Sequence, residues 1–395
     1  MKNSFAFWLK TDMHFGFGYC RNLSDFIKKR GFYNILFLID EGVMKSDYCN
    51  EVLGNIKSED LNTEVIGLRG SQEPDYDYLD SVVVKVRALK ELDLIIGIGG
   101  GSTLDITKAV AALVTNPGKG MEYRGFDHVK MSGIPTALIP TTAGTGSEVT
   151  INAVFTDKKE MKKLGINGRY IHATYAILDG EWTLSCPQSV AVSSGMDALV
   201  HGLESYMNKN ANILTRMLSS EAVYILCTNL PAVIEEPDNK ERRQNLLLGS
   251  YLAGAALFNS GPGIAGALSY PIGVHYNAPH GMAGGVFVPS VVEYNIDRGY
   301  YEYDRLLDLI QPGHKMNAQE KSILFHKFLC ELLEKLKVPK TLSEWGITDD
   351  DVEDISKLMI PMQPAFDQNP VPFSVQKDVL DMLKKHVNSS RVSAK

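Results

Sequence analysis

Two short stretches hold side chains able to bind a divalent cation. In "GMDALVHGLESY", Asp197 and His201 stand four residues apart in a helical pattern. They therefore project from one face at one level, and a carboxylate with an imidazole at that spacing can chelate one ion. In "APHG", His280 sits in what reads as a loop between helical segments, where it can complete such a site. An isolated Asp-x-x-x-His is common by chance, and its plain alternative is a partly buried polar pair.

A second chemistry lies in "GIGGGSTLDITKAVA", where Gly97, Gly99, Gly100 and Gly101 follow a buried-looking strand and Ser102 is the expected N-cap of an amphipathic helix. Glycines let a backbone approach a ligand closely, and a helix N-terminus offers amides and a positive dipole end to a pyrophosphate. The spacing is not G-x-G-x-x-G, so a tight strand-to-helix turn is the alternative. What favours a nucleotide is a second loop of like character after another strand, "PTTAGTGSEVT" (Pro140 to Thr150). Two such loops at strand ends can line one crevice, where open α/β sheets bind ligands. Asp40, closing "ILFLID", is placed to accept the hydroxyls of an adenosine ribose and to repel a 2′-phosphate, which favours NAD over NADP. Its alternative is a turn-initiating aspartate before Glu41 and Gly42.

The elements around these residues change texture along the chain. Up to about residue 180, short β-branched runs ("YNILFLID", "LNTEVIGL", "LDLIIGIGG", "GIPTALIPTTA", "AVFTD", "YAILDG") alternate with helical patterns, the signature of a parallel sheet with helices on both faces. Beyond it, long helical periodicities dominate and convincing strands are absent. The expected architecture is an N-terminal Rossmann-like α/β dinucleotide-binding domain over residues 1–180 and an all-helical metal and substrate domain over 181–395. The tail "NSSRVSAK" is expected to be disordered.

The chain has 395 residues, 44% hydrophobic, with a net charge of -7 and no long basic run. That composition argues against a grip on nucleic acid or anionic membranes. Apolar runs are shorter than the roughly 20 residues of a membrane span, and the N-terminus lacks a signal-peptide core, so a cytoplasmic protein is expected. Five scattered cysteines with no CxxC suggest buried reduced thiols rather than a disulfide framework or a thiolate zinc site.

Taken together, "GGGSTLDITKA", "TNPG", "PTTAGTGSEVT", "GMDALVHGLESY", "APHG" and the late Asn369–Pro370 resemble, in order and spacing, the iron-containing (group III) alcohol dehydrogenases over nearly the whole chain. The resemblance implies NAD(P) bound between a Rossmann-like domain and a helical domain, and a divalent metal, iron or zinc. It also implies hydride transfer between a small alcohol and its aldehyde or ketone, and a homodimer or higher homo-oligomer. Carried over position by position, Asp40, Gly99, Gly100, Ser102, Asp105, Thr141, Thr142, Thr145 and Lys163 resemble its nucleotide contacts, and Asp197, His201 and His280 three of its four metal ligands.

The fourth ligand is where the chain departs. The family pattern resembles H-x-x-x-H-P-L-G-x-x-x-x-x-P-H-G; aligned on His280, its first histidine falls on Gly266 and its second, credited with a proton-relay role, on Tyr270. Some sugar-oxidising relatives also resemble this chain at Tyr270 and at "YRGFD", which leans toward a sugar-like or polyol-like substrate. Three readings of Gly266 stand side by side: three ligands plus water, which catalytic zinc tolerates; replacement by His275; or loss of the metal, with Tyr270 as proton donor. A weakened or altered metal site is favoured, with Tyr270 or His275 as the proton relay. Rival functions are a nucleotide-binding scaffold or sensor that has lost its metal, and a sugar-phosphate cyclase like dehydroquinate synthase.

Overall fold

The computed structural model describes residues 4–57, 59–70, 74–89, 91–160 and 162–387. The tail expected to be disordered lies outside the described residues. The chain divides into two compact units: an α/β unit of residues 9–191 and 237–251, and a helical unit that, of the described residues, comprises 4–8, 192–236 and 252–387.

In the α/β unit the strands are β1 (Asp12–Phe15), β2 (Asn34–Asp40), β3 (Asn62–Leu68), β4 (Leu94–Gly99), β5 (Gly125–Phe126), β6 (Thr136–Pro140), β7 (Asn152–Asp157), β8 (Lys162–Asn167) and β9 (Tyr175–Leu178). Six of them form one sheet in the order β1-β9-β6-β4-β2-β3, every pair parallel. The other three form a small sheet in the order β5-β8-β7. Helices α1 (Leu23–Lys29), α2 (Asp47–Lys57), α3 (Tyr76–Arg87) and α4 (Gly101–Thr115) connect the strands. In β2, Ile35 to Ile39 are all buried, as a parallel strand covered on both faces requires. Alternate residues serve two cores. Ile35, Phe37 and Ile39 join Ile96, Ile98 and the α1 and α2 residues Phe26, Ile27 and Val52. Leu36 and Leu38 join Leu79, Val83 and Val86 of α3 and Ile106 and Val110 of α4. Each such side chain contributes about 1.5–3 kcal/mol by leaving water.

Asp179, just past β9 and fully buried, fastens the start of this unit. Its carboxylate accepts the amides of Gly18 (2.7 Å) and Cys20 (2.9 Å) and the hydroxyl of Tyr48 (2.6 Å).

The remaining helices are α5 (Gln188–Met207), α6 (Ile213–Asn229), α7 (Ala232–Glu235), α8 (Lys240–Ser260), α9 (Ile264–Tyr276), α10 (His280–Asp297), α11 (Asp304–Ile310), α12 (Ala318–Lys335), α13 (Val352–Leu358), α14 (Gln363–Phe366) and α15 (Leu380–Val387). Among the described residues no strand follows β9. The stretch Ile213–Glu235 is long and apolar enough to cross a bilayer, yet 56% of its apolar window is buried, as in a core helix.

The packing differs from the expected single division after residue 180 in three respects, the first being that the α/β unit runs on to residue 191. Residues 237–251, the first half of α8, belong with the α/β unit, because Gln244 donates to the carbonyl of Leu178 (2.8 Å) and accepts the amide of Gly180 (2.7 Å). Residues 4–8 belong with the helical unit, where Trp8 exchanges two hydrogen bonds with the Asn259 side chain and packs edge-on against Phe258.

Candidate active site

Register alone assembles the nucleotide side. Gly99 pairs with Pro140, and Ile39 pairs with Ile98, so Asp40, Gly99 and Pro140 stand in a row at the carboxyl edge of three adjacent strands. Strand β3 lies on one side of β2 and β4 on the other, so the winding reverses between them. The carboxyl end of such a reversal is where open α/β sheets bind ligands.

Helix α4 begins at Gly101 with Gly100 as N-cap and no side-chain cap. Ser102 is therefore the second helical residue rather than the expected cap, and among the described residues no side chain caps the first amides of α4. Thr141 donates its amide to the Gly99 carbonyl at 3.0 Å, which holds the second loop beside the first. Thr145 Oγ1 accepts the amide of Ser147 (3.2 Å). Lys163 lies on β8 of the small sheet, partly exposed.

Both readings of Asp40 have a place. Oδ1 accepts the amides of Gly42 (2.7 Å) and Val43 (3.2 Å), the turn-initiating role. Oδ2 faces Gly70, where a Cβ would fall 1.7 Å from it, so this carboxylate keeps its position only because residue 70 has no side chain.

The carboxylate of Asp105 is occupied by the chain itself: it accepts from Ser147 Oγ (2.6 Å) and the Val154 amide (2.9 Å) and pairs with Lys108 (3.1 Å). It thereby ties the second loop to α4. Lys108 is fully buried, donating to the carbonyls of Ser147 (2.8 Å) and Asn152. Burial pulls its pKa down against the opposing pull of Asp105. Neighbouring Glu148 is pushed up to about 7, chiefly by burial.

In the helical unit, α5 carries Asp197 and His201 one turn apart, with Asp197 Oδ1 3.5 Å from His201 Nε2. His280 Nε2 lies 3.8 Å from the same oxygen. His280 is the first residue of α10, N-capped by Pro279, rather than a loop residue. Gly281 permits the approach, since a Cβ there would meet the Ser193 carbonyl at 1.9 Å and Asp197 at 2.7 Å. One carboxylate and two imidazoles around a single oxygen are the right donors for a divalent transition metal. They are not a finished cage: among the described residues no group of three or more His, Cys, Asp or Glu side chains is set to hold an ion as it stands. His201 Nδ1 is buried without a hydrogen-bond partner, whereas a ligating imidazole ordinarily donates through its second nitrogen. Ser269 Oγ stands 3.2 Å from His280 Nδ1 and can fulfil that part.

Gly266 is in the first turn of α9, and a Cβ there would lie 3.0 Å from Glu204 Oε2. Glu204, almost wholly buried, accepts the amides of Gly266 (2.7 Å) and Gly263 (2.9 Å), and burial raises its pKa. Tyr270 stands one turn beyond Gly266 on α9. His275, about 140° around the helix from Tyr270, is exposed in the last turn. The structure thus brings Asp197, His201 and His280 together, whereas His275 is exposed at the end of α9.

Of the other motifs, Asn369 is a buried structural pin, donating to Asn295 (2.7 Å) and the Val371 carbonyl (2.9 Å). In "YRGFD", Arg124 pairs with Asp157 and Glu160 (3.3 Å each). Cys20, Cys49 and Cys227 are buried free thiols as expected, whereas Cys330 is exposed.

A profile of the iron-containing alcohol dehydrogenases matches residues 10–180, and one of the C-terminal part of the Fe-containing alcohol dehydrogenase family matches residues 191–387. The chain belongs to the iron-containing alcohol dehydrogenase family. It is 30% identical over 373 residues, 91% of each chain, to long-chain-alcohol dehydrogenase 1 of Geobacillus thermodenitrificans. It is 31% identical over 328 residues to 4-hydroxybutyrate dehydrogenase of Clostridium kluyveri, covering 80% of this chain and 84% of that one. Its fold is similar to that of sulfoacetaldehyde reductase from Bifidobacterium kashiwanohense, solved in complex with NAD+, with a TM-score of 0.88 at 23% identity over 98% of this chain and 100% of that one.

Two residues of this family member escaped the motif reading. Glu204 is three residues beyond His201 and seven beyond Asp197, so the spacing that pairs those two also carries it to the same face. Lys108 follows Asp105 by one turn within a helix of otherwise apolar character, and a lone lysine there marks a buried, satisfied cation.

Proposed function

We propose that this family member is a nicotinamide-dependent oxidoreductase that interconverts a small alcohol and its aldehyde or ketone, with NAD preferred over NADP. The observation that carries the reading is the row of Asp40, Gly99 and Pro140 in register at the carboxyl edge of the sheet, beside the uncapped start of α4. Asp40 Oδ2 accepts from the adenosine ribose, while the amides of Gly101 and Ser102 and the hydroxyls of Thr141 and Thr142 receive the pyrophosphate. Asp105 and Lys108 keep that second loop in place. The scaffold and cyclase readings find no support among the relatives, whose names are those of dehydrogenases and reductases.

Asp197, His201 and His280 would hold a divalent ion, iron or zinc, with position 266 contributing nothing. When bound there, such an ion supplies Lewis-acid polarisation of the substrate oxygen. Asp197 brings the negative charge that keeps the imidazole donors in place, and Ser269 fixes the tautomer of His280. Tyr270, one turn beyond Gly266, is assigned the proton transfer to or from the substrate oxygen. The working form is a homo-oligomer of at least two copies.

The test is NADH consumption against a panel of aldehydes and ketones, with the reverse reaction on the matching alcohols. Turnover with at least one small carbonyl compound is expected; a chain that binds NADH tightly but turns over no member of the panel, with iron or zinc supplied, would sink the reading.

A further inference from the structure

Helix α6 turns an apolar stripe outward. Ile213 and Met217 stand one turn apart and are 55% and 59% exposed, and Tyr224, further along the same face, is 37% exposed. Leu309 of α11, 44% exposed, borders the same hollow, an open groove of about 380 Å³ with the buried Tyr206 in its wall. That volume falls within the roughly 300–1,000 Å³ of sites for small organic ligands. The groove lies wholly in the helical unit. Tyr206 is five residues beyond His201, about 140° around α5, so the groove borders a side of that helix other than the one that carries Asp197 and His201.

The charges around this apolar bed do not cancel. Asp308 is paired with Lys321 (2.7 Å) and Glu302 with Arg216. Arg305, exposed on α11, has no carboxylate within ion-pairing distance among the described residues, so the group keeps one positive charge unmatched. Arg216 is itself only part satisfied: Nη1 meets Glu302, while Nε is buried with no hydrogen-bond partner. Its guanidinium stands over the Tyr206 ring, 5.3 Å from the centroid, which holds it at the wall of the groove. An alkyl chain laid here removes Ile213, Met217 and Leu309 from water, and a carboxylate at its end meets the unmatched guanidinium charge. A small inorganic anion would leave the stripe wet, and a neutral hydrocarbon would leave the charge unmet.

We propose that the groove between α6 and α11 binds an amphipathic carboxylate, with Arg305 and Arg216 holding the head and the outward stripe of α6 the chain. Ile213 to Ser220, both on the groove, spans about 10 Å along the helix, the length of a chain of roughly eight carbons. The unbranched thioether of Met217 lets the bed adapt to chains of different shape. The proposal does not depend on the hydride-transfer reading, and its test needs neither cofactor nor substrate.

The full chain is titrated calorimetrically with octanoate, with octanamide, which keeps the chain without the charge, and with acetate, which keeps the charge without the chain. The expected result is saturable binding of about one octanoate per chain, with both controls weaker by about tenfold or more. Arg305→Glu and Met217→Glu each change an exposed side chain, so the fold is retained, and each should weaken octanoate by about tenfold. No saturable binding, or equal binding of octanoate and octanamide, would overturn the proposal. So would octanoate binding unchanged in either variant, which would put the ligand elsewhere on the chain, the active site included. Light scattering on the same samples tests the other occupant: an oligomer that dissociates in Met217→Glu, together with no octanoate binding, would mean that a second copy covers the groove and that the proposal is wrong.

Discussion

Glu204 Oε1 lies 2.7 Å from the amide nitrogen of Gly266, so a buried carboxylate holds the first turn of the helix in which the family's first histidine is missing. It satisfies amides that a helix start leaves without partners and sits at the positive end of the α9 dipole. Glu204→Gln keeps the shape but turns one acceptor into a donor facing an amide. A loss of about 2 kcal/mol is expected, read from the urea midpoint. An unmoved midpoint would mean that these amides find other partners at no cost.

Restoring a histidine addresses the metal directly. Gly266→His brings a Cβ to 3.0 Å from Glu204 Oε2, a contact the carboxylate can relieve by a small shift. Elemental analysis should find more iron or zinc retained per chain through dialysis than in the unaltered protein, and less in Asp197→Ala and His280→Ala. Equal retention in all four would show that these positions do not act together.

The carboxylate of Asp40 can be displaced without touching it. Gly70→Ala places a methyl 1.7 Å from the present position of Oδ2 and forces the side chain away. NAD affinity should fall roughly tenfold, about 1.4 kcal/mol. Asp40→Ser should move the preference toward NADP. Fluorescence titration with both cofactors reads both effects, and an unchanged NAD to NADP ratio in Asp40→Ser would mean that the ribose is held elsewhere.

His386 makes the helical unit sensitive to acid. It is buried on α15, its Nε2 3.0 Å from Ser290 Oγ, and burial lowers its pKa to about 4. The folded state thus binds fewer protons than the unfolded state between about 6.5 and 4. The contribution is present above about 6.5 and is lost as pH falls toward 4. Its size is about 3 kcal/mol. Melting curves of His386→Phe should decline less steeply over that interval than those of the unaltered protein; parallel declines would place the acid sensitivity in other groups.

What the sequence made legible was local. Strands with near-continuous apolar runs, followed directly by glycine or hydroxyl loops, announce a parallel sheet, and Asp197 with His201 needs only helical spacing. The misjudged parts depend on partners far along the chain. Asp105 looks free until Ser147 and Val154 close on it. The placement of residues 237–251 follows from Gln244 meeting strand β9, which no local pattern in α8 reveals. Helix α9 is obscured by its glycines and by Pro271 within it, so the phase that turns His275 away from Tyr270 could not be read.

Strand order also sets a timetable. Among the described residues strand β1 pairs only with β9, which inserts between it and β6. As the chain leaves the ribosome, β2, β3, β4 and β6 can pair soon after they emerge, while β1, the first strand made, has no neighbour until residues 175–178 follow. Until then β6 presents an open edge and Asp179 is not yet there to collect Gly18, Cys20 and Tyr48. Birth order and pairing order are opposed in this sheet, and the interval before residue 179 emerges is when the nascent chain is most exposed to wrong partners.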